Sequence, residues 1–123
     1  MTRQKQIYAI DFDGTIAMTK WPDIVGPRQE VVDFIKRLQK RGDQWILWTN
    51  RDGAVLDIAL QWLNQYGLHP DAVNDNLPHM IAFFGRNPRK VFANFYIDDH
   101  NAGGIILPED DASLPGAGME DGE

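Results

Sequence analysis

The side chains that could do chemistry fall into three short stretches: Asp11, Asp13, Gly14 and Thr15; then Thr49, Asn50 and Arg51; then Asp98 and Asp99. Each stretch sits at the end of an apolar run of strand length, namely Ile7 to Phe12, Trp45 to Thr49 and Phe95 to Ile97. If those runs are parallel strands, groups at their carboxyl ends share one crevice, and four carboxylates converge on one rim. Carboxylates so placed repel one another and raise each other's pKa unless a cation neutralises them. A hard divalent ion answers that need, and Mg²⁺ takes about six oxygen ligands, drawn from a few carboxylates, waters and a substrate phosphate. Asp11 and Asp98 are expected to bind the ion directly and Asp99 directly or through water, with Asp13 completing the acidic set. Taken alone, an Asp-Asp pair is an ordinary turn or helix cap.

The elements that must position these groups are legible in the apolar pattern. The three runs are nearly continuous rather than alternating, as strands buried on both faces of a parallel sheet are. Val31, Val32, Ile35 and Leu38 recur at helical spacing between Pro27 and Arg41, with Pro27 in the first turn and Gly42 as the stop. A second helix is predicted from about Asp52 to Tyr66, ended by Gly67. Asp71 to Asn74 and Ile105 to Leu107 read as weaker strands, Leu77 to Phe84 as a short helix, and Ala17 to Gly26 as a loop able to form at most a small flap. Alternating strand and helix predicts an α/β fold, a three-layer doubly wound (Rossmann-like) parallel sheet.

With the motifs in this order, the chain resembles the haloacid dehalogenase-like (HAD) hydrolase superfamily. The resemblance rests on DFDGTI at 11 to 16, WTN at 48 to 50, and Lys90 followed by YIDDHN at 96 to 101. It covers the body and not the tail. It implies that Asp11 is the nucleophile and Asp13 the general acid/base, that Thr49 supplies the hydroxyl of the second motif and Lys90 the lysine, and that Asp98 and Asp99 are the acidic metal-binding pair. The implied reaction is Mg²⁺-dependent hydrolysis of a phosphate monoester through an aspartyl-phosphate. The two charges that let an anionic nucleophile approach a dianionic ester would come from Mg²⁺ and Lys90. Gly14 and Thr15 would turn backbone N–H groups toward the phosphate, and the Thr49 hydroxyl and Asn50 N–H would hold one of its oxygens. Arg51 either grips substrate or pairs with a neighbouring carboxylate such as Asp52. Family members carry cap domains after the first motif or between the second and third. Here those intervals are filled by helix, strand and turn, which predicts a capless member whose open site admits a small or polymeric phosphorylated substrate, or is closed by a neighbouring subunit of a homo-oligomer.

Other readings use the same residues. Phosphotransfer to an acceptor other than water needs the same set. Dehalogenases of the family lack the second aspartate, so Asp13 argues against that chemistry. Response-regulator receivers share the residue types but place the acidic pair first, and a noncatalytic phosphate-binding module would be expected to have lost a charged participant. Thr49 alone is a strand residue and Lys90 alone a solvated lysine. His69, His79 and His100 lack metal-ligand spacing, and Trp45, Trp48 and Trp62 read as core, whereas Trp21 stands in a polar loop.

Composition narrows the classes further. With 123 residues, 43% of them hydrophobic, the chain suits one domain. The absence of cysteine removes disulfides, thiol nucleophiles and thiolate metal sites. The net charge of −6 lies wholly in the tail, since the body before Pro108 sums to zero. A catalytic unit over residues 1–107 is therefore expected, followed by an acidic tail over 108–123 too poor in apolar side chains to order. A neutral body makes nucleic acid an unexpected partner. No apolar stretch approaches the ~20 residues of a membrane span, and no secretory signal opens the chain, so a cytoplasmic location is expected.

Overall fold

The computed structural model describes residues 4–108, so the acidic tail, apart from Pro108, lies outside the described residues. Nine elements follow in chain order: β1 (Ile7–Ile10), β2 (Ala17–Lys20), β3 (Asp23–Pro27), α1 (Gln29–Lys40), β4 (Gln44–Leu47), α2 (Gly53–Gln65), β5 (Ala72–Val73), α3 (Pro78–Phe84) and β6 (Phe95–Ile97). The fold is α/β, built on a four-stranded sheet of order β5-β4-β1-β6 in which every neighbouring pair is parallel.

The continuous apolar character of β1 follows from its central place. All four of its residues are buried, because both sheet faces are covered. Tyr8 and Ile10 point to the face packed by Val31, Val32, Ile35 and Leu38 of α1 and by Ala59 and Leu63 of α2. Ile7 and Ala9 point to the other, packed by Leu77 and Val91 with Met80 of α3 alongside. Period-two alternation thus divides one strand between two apolar clusters. Trp45 joins the first cluster, its indole N–H donating to Gln39 Oε1 at 3.0 Å, so the ring is buried with its polar edge satisfied.

Register sets what reaches the rim. Ile10 lies beside Leu47 on one side and Ile97 on the other, so the residues after these three leave the sheet at the same level. The strands are shorter than the apolar runs: β1 stops at Ile10 and β4 at Leu47. Asp11 and Trp48 still donate backbone N–H groups to Ile97 and Ile10, at 3.0 and 2.9 Å. The apolar run therefore carries the chain one step past the ladder, into the loops that bear the candidate site.

Three expectations change. The predicted flap at Ala17 to Gly26 is an antiparallel hairpin, β2 and β3, with an irregular register between Met18 and Thr19. Its mixed exposure hides strand alternation in the sequence. Pro27 ends β3, and helix α1 starts at Gln29 with Arg28 as its cap. Ile105 to Leu107 form no strand; Ile105 and Leu107 pack on the first cluster from irregular chain.

The connection from α3 to β6 carries Lys90 and is pinned by buried Asn76. Its Oδ1 accepts the Phe92 N–H at 2.7 Å, and its Nδ2 donates to Asn87 Oδ1 at 2.9 Å and the Pro88 carbonyl at 3.0 Å. Asn76→Ala strands these groups and is expected to cost about 1–3 kcal/mol. Denaturant unfolding measures the loss, and amide exchange at Phe92 should accelerate beyond that at β1.

Candidate functional site

The carboxyl ends of β1, β4 and β6 open on one side of the sheet, and the recess there has a volume of about 370 Å³, lined by Asp11, Trp48, Thr49, Asn50, Asn74 and Asp98. A second recess of about 330 Å³ shares Asp11, Asn50 and Asp98 with it and adds Asp13, Trp21 and His100. A third, of about 280 Å³, shares Trp48 and Asp98 and contains Lys90. The rim expected from the sequence is thus assembled from residues of all three strand ends. Trp48, expected in the core, packs on the second apolar cluster and also lines this rim.

Asp11 feels the crowding. Burial, followed by the charge of Asp98, raises its pKa to about 7, with Asp99 adding to the rise and a hydrogen bond from Thr15 opposing it. Thr15 is fully buried, and its Oγ1 lies 3.1 Å from Asp11 Oδ2 and 3.2 Å from Asp99 Oδ1 while accepting the Asp99 N–H at 2.9 Å. One hydroxyl proton cannot serve both carboxylates at once. Thr15 therefore ties the Asp11 loop to the Asp98–Asp99 turn. Its own N–H, expected to turn toward the phosphate, donates instead to the Phe12 carbonyl at 3.2 Å.

Gly14 is corrected in the same way. Its N–H donates to the Ala17 carbonyl at 2.8 Å and is not turned outward. What the position requires is the absence of a side chain: its φ is +80°, and a Cβ there would collide with the Asp99 carboxylate. Glycine lets the β1 loop and the β6 turn touch.

Arg51 is the largest correction. Expected at the substrate or beside Asp52, it is buried and grips Asp13, Nε to Oδ2 and Nη2 to Oδ1, both at 2.8 Å. Its remaining donors reach the Val55 carbonyl at 3.0 Å and the Pro22 carbonyl at 2.9 Å. The guanidinium lies between rings, 5.1 Å from the Phe12 centroid and 4.9 Å from that of Trp21. Arg51 thus joins Asp13 to the β2–β3 hairpin. Burial would raise the Asp13 pKa, but hydrogen bonds from Arg51 and Thr19 and the guanidinium charge outweigh it and hold the carboxyl below its usual range. Both Asp13 oxygens are engaged by Arg51, where the sequence had placed this side chain among the metal ligands.

Thr49 keeps a donor at the rim. Its Oγ1 accepts the Arg51 N–H at 3.0 Å, which leaves the hydroxyl proton for a ligand. Its own N–H goes to Asn74 Oδ1 at 2.8 Å. Asn74, missed in the sequence, has φ +52° and lines the main recess; its only sequence signal was an Asn closing a weak strand, a residue type tolerant of that conformation. Lys90 is exposed, its ammonium 5.5 Å from the Tyr96 ring, and it meets Asp98 in the third recess instead of Asp11 in the first.

The donor set suits a hard divalent cation. Asp11 and Asp98 line the same two recesses, the strain on Asp11 comes partly from Asp98, and the cationic charge of Arg51 is committed to Asp13. Asp99 adjoins them, and the ligand atoms that lie within 4.8 Å of one another are those of Asp98, Asp99 and exposed His100, which brings into the acidic set a histidine that the sequence had put aside. Among the described residues no helix is long and apolar enough to cross a membrane.

An α/β protein with a carboxylate-rimmed parallel sheet is thereby defined. A solved structure described as that of a conserved protein coded by a locus in Bacteroides thetaiotaomicron matches it with a TM-score of 0.72 and 37% identity, over 84% of this chain and 83% of that one. The chain belongs to the family of that conserved protein. No family model matches the sequence, and no curated protein does.

Two outcomes follow from the charges. A folded pKa for Asp11 above the unfolded value means that its stabilising contribution is complete below about pH 4 and lost as pH rises through about 7. Metal-free protein should therefore lose thermal stability between those values, Mg²⁺ should restore it, and Asp11→Asn should remove both effects in thermal melts. Asp13 has the opposite sign: its lowered pKa gives stability present above about pH 4 and lost as pH falls through the folded value. Arg51→Met, which abandons Asp13, is expected to cost about 3 kcal/mol near neutral pH. It should also flatten the acid limb of a denaturation series.

Proposed function

We propose that this chain is a Mg²⁺-dependent phosphatase of the HAD type, with a capless three-layer doubly wound domain, acting on a phosphate monoester through Asp11. The observation that carries the reading is that Asp11, the Thr49 hydroxyl, Asn50 and Asp98 line a single open recess at the ends of three parallel strands. The hairpin and the short β5 and α3 leave no insert large enough for a folded cap.

The residues divide the work as follows. Asp11 and Asp98, with Asp99 beside them, would hold Mg²⁺, which when bound supplies positive charge to the phosphate oxygens and lets Asp11 remain ionised. The Thr49 hydroxyl donates to one of those oxygens. An Asp11 oxygen attacks phosphorus, the bond from phosphorus to the alcohol oxygen breaks, and the electron pair leaves on that oxygen. Asp13 gives it a proton. A water then loses a proton to Asp13 and attacks phosphorus, which breaks the bond to Asp11, releases inorganic phosphate and leaves Asp11 ionised and Asp13 protonated, as each began.

Arg51 bears on the two halves unequally. It holds Asp13 as the anion, which suits the second half, where a base is needed. In the first half the incoming phosphate dianion, placed beside Asp13, raises its affinity for the proton it must deliver. Leaving groups that need no proton should depend less on Asp13.

Asp11→Asn is expected to lower phosphate release by at least about a thousandfold with every ester. Asp13→Asn should lower it by about a hundredfold with an alkyl phosphate and clearly less with para-nitrophenyl phosphate. Malachite green detection of free phosphate, with Mg²⁺ and with chelator, checks both. Equal rates for wild type and Asp11→Asn would remove the nucleophile and the reading with it.

A further inference from the structure

Trp21 has no part in the steps above, yet it lies in the recess that holds Asp11, Asp13 and Asp98. It sits at the hairpin turn between β2 and β3 and is 62% exposed, unusual for so large an apolar side chain. Phe12 is wholly buried, and Trp62 packs edge-on against it at 5.7 Å.

The ring is not loosely held. The Arg51 guanidinium stands over it at 4.9 Å, and the same guanidinium bonds the Pro22 carbonyl next in the chain. Arg51 is itself fixed by two bonds to Asp13. One group therefore grips the acid/base carboxylate and backs the indole, which fixes the ring at a set distance from the place where the leaving oxygen must lie. A rigid, backed and exposed aromatic surface is a stacking platform, since it costs little side-chain entropy to use. Asn50, itself exposed, lines both this recess and the one assigned to the phosphate.

We propose that Trp21 determines specificity, and that the ester taken by this site carries a planar aromatic ring on its leaving alcohol, as a nucleoside 5′-monophosphate does. The inference rests on the phosphatase reading for where the phosphate sits. A carboxylate-bearing leaving group is disfavoured in a recess lined by Asp11, Asp13 and Asp98, whereas a neutral ring meets no such penalty.

The test compares adenosine 5′-monophosphate with ribose 5-phosphate, which share the leaving hydroxyl and differ in the ring. In wild type, kcat/KM should favour the nucleotide by about tenfold, the usual size of one base stacked on one aromatic ring. Trp21→Ala should collapse that ratio through KM, and Trp21→Phe should keep most of it. Calorimetric titration of Asp11→Asn in Mg²⁺ gives a second readout: the nucleotide should bind about tenfold tighter than the sugar phosphate and shift the Trp21 indole N–H resonance. A ratio near one in wild type, or one that Trp21→Ala leaves intact, overturns the platform. Binding that depends on Trp21 without phosphate release from either compound would sink the hydrolase reading and keep the platform. Equal hydrolysis of both compounds would do the reverse. A Trp21 whose loss alters only the oligomeric state would mark the ring as a contact between copies and end the proposal.

Discussion

The burial of Asp11 beside Asp98 is the constraint around which the rest is arranged. Both sit just beyond neighbouring parallel strands whose register, Ile10 beside Ile97, leaves them no choice but to face the same opening. Burial and proximity together drive Asp11 to about 7. Keeping Asp11 ionised there costs free energy that the apolar clusters on the two sheet faces must offset. The surrounding contacts hold the arrangement: Thr15 bonds across the two loops, and Gly14 leaves room for the Asp99 carboxylate.

A second acid is treated in the opposite way. Asp13 receives a full guanidinium with bidentate geometry, so two aspartates separated by one residue have proton affinities pushed apart. Paired titratable groups with divergent environments are a recurring basis for dividing nucleophilic and proton-transfer roles. Phe12 between them is buried with its ring near the same guanidinium. Asp11 and Asp13 thereby face different surroundings, one turned to other acids and the other to Arg51.

Much of the frame was legible because it obeys local rules. The continuous apolar runs marked the buried parallel strands, helical spacing marked α1 and α2, and glycines at 42 and 67 sit in the positive-φ conformation that ends each helix. From strand ends alone Asp11, Thr49, Asn50 and Asp98 were drawn to one rim, where the structure has them. What escaped were facts of long-range pairing. Arg51 meets a carboxylate 38 positions earlier in the chain, not the Asp52 next to it, because the hairpin folds back beneath it. Thr15 and Gly14 look in sequence like a ligand loop, yet their donors are taken by groups up to 84 positions away or by their own turn. Lys90 depended on a loop whose course Asn76 decides. The hairpin itself was hidden because a two-stranded ribbon with mixed exposure leaves no clean alternation to read.

The lengths of the outer strands carry a last consequence. β5 has two residues and β6 three, while the longer β4 and β1 lie between them. A sheet margin that brief offers few open amides and carbonyls to an extended segment from another molecule, so the four-stranded sheet is guarded against edge-to-edge stacking. That protection comes from truncation and needs no charged gatekeeper along the margin. The acidic residues of β6's own turn are therefore free to serve the opening at the end of the sheet.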